Sequence, residues 1–194
     1  DLSMDWFTPI LPSPRHLKTD EIHADSMLNP IIENPHFLLN IRYKESMIAE
    51  EYPSLWNYIQ DGVTKNVDKR FLCARRTPWF SQESREPAPF MIGCMGSSGD
   101  RKKNPFRLIL NHSRALAANS YILLYPRGVL KDLLVSEDKL KKEIWNALKE
   151  IPSKEFIDEG RAYGGGLHKI EPRELSKINA TLIYETIIAP RQKA

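Results

Sequence analysis

The sequence predicts an α+β fold: a single domain, residues 1–194, with a mixed, mainly antiparallel sheet flanked by three or four helices. Three observations carry that expectation. Apolar runs of strand length crowd the middle of the chain, bounded by Gly, Pro and Asn. Amphipathic stretches of helical period lie on either side of them. The 194 residues, 41% hydrophobic and 27% charged, have the balance of an ordinary globule. A chain of this size buries roughly 70% of its unfolded surface.

Phe7 to Leu11 is the first expected strand. Pro12-Ser-Pro-Arg15 follows as an extended turn, because a residue before proline avoids the helical region. His36 to Tyr43 alternates Phe37, Leu39 and Ile41 with Leu38, Asn40 and Arg42, a strand pattern. Lys44 to Gln60 predicts a helix broken at Pro53, its second part opened by that proline and closed by Gly62. Lys65 to Arg70 is a polar connection. Phe71 to Ala74, Pro89 to Met95, Phe106 to Leu110 and Ser120 to Tyr125 are expected strands. Between them Gly96 to Pro105 has the composition of a flexible, basic loop. Ser136 to Ile151 is the clearest helix, with Ser136 as N-cap and Glu137 and Asp138 at the positive end of the dipole. Leu140, Ile144, Leu148 and Ile151 line its apolar face. Ser153 to Glu159 is expected to turn, and Pro172 to Lys177 to form a short helix. The β-branched run Thr181 to Ile188 is expected as a last strand, and residues 191–194 as a frayed tail.

Net charge is only +3, so an anion-binding surface has to come from local clustering. Clustering occurs: Lys65 to Arg85 and Asp100 to Arg114 each carry +4, leaving −5 on the remainder. Such asymmetry points to a polyanionic partner, although solvated loops give the same count. Cys73 and Cys94 are the only cysteines, too few for a disulfide framework and without zinc spacing, so reduced, buried thiols in a cytosolic protein are expected. No apolar run approaches membrane-spanning length, and residues 1–6 have no signal-peptide character. The chain does not begin with Met, which suggests a piece excised from a longer protein.

Catalytic constellations are missing from the pattern. There is no GxSxG elbow, no P-loop, no histidine pair at metal-binding spacing and no glycine-rich cofactor loop after a strand, so no catalytic, cofactor or metal residue is assigned. Asn34-Pro-His-Phe37 is one residue away from the Asn-Pro-Pro-Tyr/Phe loop of amino-methylating DNA enzymes. With no cofactor-binding domain before it, it is better taken as a strand entry.

Three segments hold candidate binding chemistry. Arg161-Ala-Tyr-Gly-Gly-Gly-Leu-His-Lys169 sets Gly164, Gly165 and Gly166 among Arg161, Tyr163, His168 and Lys169. Bare backbone ringed by donors suits close approach to a polyanion, and a bulge or loose turn is the plain alternative. Arg75-Arg-Thr-Pro-Trp-Phe-Ser-Gln82 offers Arg75, Arg76, Trp79 and Gln82; arginine reads guanine and glutamine adenine, while Trp79 equally suits a core. Pro105 to Asn119 places Arg107, Asn111, Ser113 and Arg114 along a strand and the turn after it. These groups suit phosphate and base-edge contacts, or satisfy loop backbone.

Taken in order, Pro12-Ser-Pro-Arg15, Tyr52-Pro-Ser-Leu-Trp56, Thr77-Pro-Trp-Phe-Ser-Gln-Glu83, Pro105 to Ser113, Asn119 to Pro126 and Tyr163 to Pro172 resemble the C-terminal part of gamma-class adenine-N6 DNA methyltransferases, the modification enzymes of Type II restriction–modification systems. The resemblance implies a target-recognition domain that binds double-stranded DNA site-specifically. The parent polypeptide would hold S-adenosylmethionine in a separate catalytic domain, in the cytoplasm of a bacterium or archaeon. Independently of the resemblance, the residues of the three segments are expected to converge into one cationic cleft that fits a double helix. A protein-interaction module docking a restriction or modification subunit is the alternative, and a stand-alone nuclease a more distant one.

Overall fold

The computed structural model describes residues 2–97, 104–137 and 139–192. The expected loop over residues 96–105 lies largely outside these, as do Asp138 and residues 193–194. In chain order the strands are β1 (Phe7–Leu11), β2 (Glu21–Ile22), β3 (His36–Leu39), β4 (Phe90–Gly93), β5 (Met95–Ser97), β6 (Leu108–Asn111), β7 (Leu116–Ala117), β8 (Tyr121–Leu124), β9 (Arg161–Tyr163) and β10 (Leu167–Lys169). The principal helices are α1 (Glu45–Glu51), α2 (Pro53–Thr64), α3 (Val129–Ser136), α4 (Leu140–Glu150), α5 (Ser153–Glu159) and α6 (Pro172–Leu175). The α+β class is therefore as expected. Its elements divide between two compact units, Asp1–Ile10 with His36–Glu86, and Leu11–Pro35 with Pro87–Ala194.

In the first unit β1 and β3 pair antiparallel, with Phe7 opposite Leu39 and Ile10 opposite His36. Asn34 takes a φ of 52° just before β3, in the left-handed region that Asn tolerates, so this tetrapeptide is a strand entry. Helices α1 and α2 break at Tyr52–Pro53 as the proline dictates. Ile48, Leu55 and Ile59 from them bury against Ile41 and Phe80, with Trp6, Tyr52, Trp56 and Trp79 packed around. Gly62 does not end α2 but sits inside it. A Cβ there would stand 2.7 Å from Trp79 Cη2, so the indole lies across the helix at that point.

The second unit is built on a four-stranded sheet of order β2-β6-β4-β8, with β2 parallel to β6 and the other pairs antiparallel. Period-two alternation explains its double-sided burial. Phe90, Ile92, Leu108, Leu110 and Ile122 join a core with Leu140, Ile144 and Trp145 of α4. Met91, Ile109 and Tyr121 join another with Leu11, Leu17 and Ile22. Trp145 Nε1 donates to Leu108 O at 3.0 Å, tying α4 to the sheet edge-on. A second sheet, β5-β10-β9, is wholly antiparallel.

Several local expectations are corrected. Thr181 to Ile188 is helical, continuing to Gln192 through a π turn over Tyr184–Ile188. Ile183 and Ile187, four apart, both bury in the α4 core, and that helical spacing outweighs β-branched propensity. Asn179 Oδ1 accepts from Thr181 N at 2.9 Å at its start. Ser136 closes α3, an unanticipated helix, instead of capping α4, and its hydroxyl donates back to Leu133 O. The apolar face of α4 is as expected. Ser153–Glu159 is a helix because Phe156 anchors it in the core. Arg191 is no frayed end: it reaches Glu137 at 3.1 Å and Glu143 at 2.8 Å. Phe71 to Ala74 is a series of turns, with Ala74 N donating to Arg70 O at 2.9 Å, instead of a strand.

Candidate nucleic-acid interface

In the first unit, the segment after α2 gathers Lys65, Lys69, Arg70, Arg75 and Arg76 against one anion, Asp68. Local bonds brace four of these cations, Lys65, Lys69, Arg75 and Arg76. Lys65 pairs with Asp61 at 2.6 Å, one helical turn back, and that hydrogen bond raises its pKa. Lys69 Nζ donates to Asn66 Oδ1 at 2.7 Å. The Arg75 guanidinium lies over the Phe71 ring at 3.6 Å and donates to Phe71 O at 3.0 Å. Arg76 Nη1 donates to Gln82 Oε1 at 3.0 Å, and Gln82 Nε2 to Phe80 O at 3.4 Å. Arg76, Gln82 and Trp79 line a groove of about 360 Å³ with Tyr58, Lys65 and Cys73. Trp79 is thus half core and half groove wall, with its ring edge-on to Phe80.

The candidate residues along β6 and the turn after it are mostly spent inside the second unit. Arg107 donates to Asp20 Oδ1 at 2.7 Å, Leu17 O at 2.9 Å and Thr19 O at 3.1 Å, and also to Pro14 O. It staples the 14–20 loop to the sheet. Asn111 is buried, and its amide donates to Ala88 O and Ala115 O, both at 3.2 Å. Its oxygen accepts from Ser113 N at 3.0 Å and Ser113 Oγ at 2.6 Å. Asn111 and Ser113, expected as a contact set, instead satisfy loop backbone. Arg114 stays exposed, with Nε on Asn29 Oδ1 at 3.0 Å.

The glycine segment is a hairpin: β9 and β10 pair with Tyr163 opposite Leu167, and Gly164–Gly166 form the turn. Gly165 and Gly166 both have φ of 74°, the left-handed region where a side chain is strained. A methyl group on Gly164 or Gly165 would meet no described atom within 4 Å. Gly164 and Gly165 are open around their backbone, with exposed Tyr163 beside them. Arg161 is paired with Glu174 at 2.6 Å and Glu171 at 3.1 Å, and Lys169 with Glu171 at 2.8 Å. The Lys169 ammonium, then Arg161, holds the Glu171 carboxyl below its ordinary range. Glu171 also completes a capping box with Glu174 at the start of α6. His168 points inward, 8% exposed, with Nδ1 unpartnered among described atoms.

Within the second unit the hairpin joins the sheet near Arg107: Gly93 N donates to Arg107 O, and Ile170 N to Cys94 O. Arg114 lies beyond the other end of β6. At 3.3 Å per residue, Arg107 and Asn111 are about 13 Å apart along the strand. The two segments therefore do not form one strand-end cluster. The Arg75 to Gln82 segment belongs to the first unit.

Two features escaped the sequence reading. Phe71 and Leu72 are 69% and 59% exposed, side by side among the cations. Glu21, His23 and His112 each bring a potential metal-ligand atom within 4.8 Å of the others. Strand pairing, not sequence spacing, assembles them: Glu21 and His23 share a face, and His112 N donates to Ile22 O. The carboxylate there already accepts from Lys142 and from His112 at 3.1 Å, and the His23 and His112 rings stack at 5.8 Å. A metal ion would have to displace the Lys142 ammonium. No helix among the described residues is long and apolar enough to cross a membrane.

The residues build an α+β fold with a glycine-turn hairpin in one unit and a cationic, aromatic loop in the other. Comparison with known proteins gives the family. Residues 3–191 match the family described as Type II methyltransferase M.Eco57I, C-terminal domain, and the chain belongs to it. It is also 35% identical, over 121 residues, to Type II methyltransferase M.AccI of Acinetobacter calcoaceticus. That match covers 62% of this chain and 21% of the relative, so the chain spans about a fifth of that methyltransferase. No solved structure matches.

Proposed function

We propose that this chain is the target-recognition part of an S-adenosylmethionine-dependent DNA adenine-N6 methyltransferase, binding double-stranded DNA site-specifically. The catalytic domain, with its cofactor, would lie in the same parent polypeptide, working on DNA in the cytoplasm. The observation that carries the reading is the Lys65 to Arg76 loop, where five cations stand against one anion on locally braced side chains. Membership of a Type II methyltransferase family supplies the chemical context. On this reading Lys69, Arg70 and Arg75 would neutralise phosphates, which fixes register without reading sequence. Arg76 and Gln82 carry the bidentate donors and acceptors that read guanine and adenine. Within the second unit, the open Gly164–Gly165 backbone would admit close approach of a nucleic-acid backbone.

Titration of a labelled duplex by fluorescence anisotropy tests the binding. Affinity should fall with a log–log slope of about −3 to −4 between roughly 50 and 200 mM salt, and the Arg75→Ala/Arg76→Ala double variant should flatten it by about 1 to 2. A flat wild-type profile overturns DNA binding and favours the protein-docking module. Incubating the parent polypeptide with S-adenosylmethionine and DNA, then digesting to nucleosides, tests the chemistry. N6-methyladenine is expected, and methylcytosine would refute it.

A further inference from the structure

We propose that Phe71 and Leu72 form an apolar wedge that enters the duplex at an unstacked base step. This rests on the DNA-binding reading above and adds a mode of engagement to it. Two large apolar side chains, adjacent and more than half exposed, make a patch that lone surface residues do not. They stand on a series of short turns held by Arg70 N to Val67 O at 3.1 Å, Ala74 N to Arg70 O at 2.9 Å and Arg76 N to Cys73 O at 3.0 Å. Arg75 braces Phe71 twice, through its ring and its carbonyl, leaving the other ring face outward. A tip so mounted enters a partner without first being ordered.

The surroundings select the partner. A docking face for another protein's core is ringed by mixed charge. This one has Lys69 and Arg70 immediately before it, and Arg75 and Arg76 after it beyond Cys73 and Ala74. Cations on both flanks with Phe and Leu between them match a duplex: phosphates on either strand, and an apolar base stack between. Phe and Leu are among the side chains that part base steps, bending the helix to bring more backbone against the protein. The Cys73 and Arg76 side of the same turns opens into the groove walled by Trp79.

The test needs no knowledge of the recognition sequence. The chain is titrated with two duplexes of identical mixed sequence, one carrying a single mismatch that weakens local stacking. Wild type should bind the mismatched duplex about tenfold tighter, because part of the unstacking cost is already met. Phe71→Ala/Leu72→Ala should bring the two affinities within about twofold while the salt slope stays unchanged. Phe71→Trp should keep the preference. Both side chains are exposed, so matching thermal melts are expected for all variants. No preference in wild type, or one that survives the double alanine variant, overturns the wedge and leaves DNA binding standing. Loss of all binding and of the salt slope overturns both.

Discussion

Arg107 and Asp20, 87 residues apart, are joined at 2.7 Å, and the same guanidinium serves the carbonyls of Leu17 and Thr19. A cation that pattern reading assigns to DNA is thus a clamp on the β2 approach. Arg107→Ala strands those carbonyls and a carboxylate. It should lower stability by about 2 kcal/mol in urea melts, while changing the salt slope of DNA binding by less than about one contact. Lysine carries the charge but not the fork, so Arg107→Lys should recover little of the loss.

Asn111 makes the same point from a buried position. Its amide makes four hydrogen bonds: Nδ2 donates to the Ala88 and Ala115 carbonyls, and Oδ1 accepts from Ser113 N and Ser113 Oγ. Asn111→Ala should cost about 3 kcal/mol, since several buried groups lose partners at once. Asn111→Asp retains the acceptor and loses both donors, and should be destabilised comparably. Denaturation midpoints compared with duplex affinity of the surviving folded fraction check both.

Stability at acid pH should report Glu21. The hydrogen bond from Lys142 and then that from His112 lower its pKa below the ordinary 4.5, against an opposing contribution from burial. The folded value lies below the unfolded one, so Glu21 stabilises the protein above about pH 4.5 and loses that contribution as pH falls through the folded value. Glu21→Gln should melt lower than wild type at neutral pH. The gap should close as pH falls through the folded value in a series of thermal melts. A gap of constant size across the series would remove Glu21 from the acid transition.

The sequence exposed the second unit's sheet well, because apolar runs at Phe90, Leu108 and Tyr121 need no partner information to be seen as strands. It exposed the break at Pro53 for the same local reason. Thr181 to Ile188 misled it, since only tertiary packing of Ile183 and Ile187 against α4 decides between helix and strand there. Site residues were harder still. Whether an Arg or Asn in a loop faces solvent depends on which carbonyls the fold brings beside it, and Arg107 found its acceptors in residues 14–20. Phe71 and Leu72 were hidden by the opposite error: an apolar pair is assumed buried until exposure says otherwise.

Glycine substitutions should separate architecture from contact. Gly96 pairs with His168 in the sheet, and a Cβ there would fall 1.7 Å from Pro105 O, a clash that only backbone movement relieves. Gly96→Ala should therefore destabilise the second unit by about 3 kcal/mol or more. Gly164 has open space around it and no left-handed φ, so Gly164→Ala should leave the melting temperature within about 1 °C of wild type. Gly165 has the same open space but a φ of 74°, so Gly165→Ala should cost about 1 kcal/mol from strain alone. If DNA backbone packs on this turn, Gly164→Ala should weaken duplex binding at least about fivefold with no loss of stability, since a methyl group occupies the approach. Unchanged affinity in Gly164→Ala alongside a destabilised Gly165→Ala would mark the triple glycine as turn chemistry, and leave the Lys65 to Arg76 loop as the proposed DNA-binding surface.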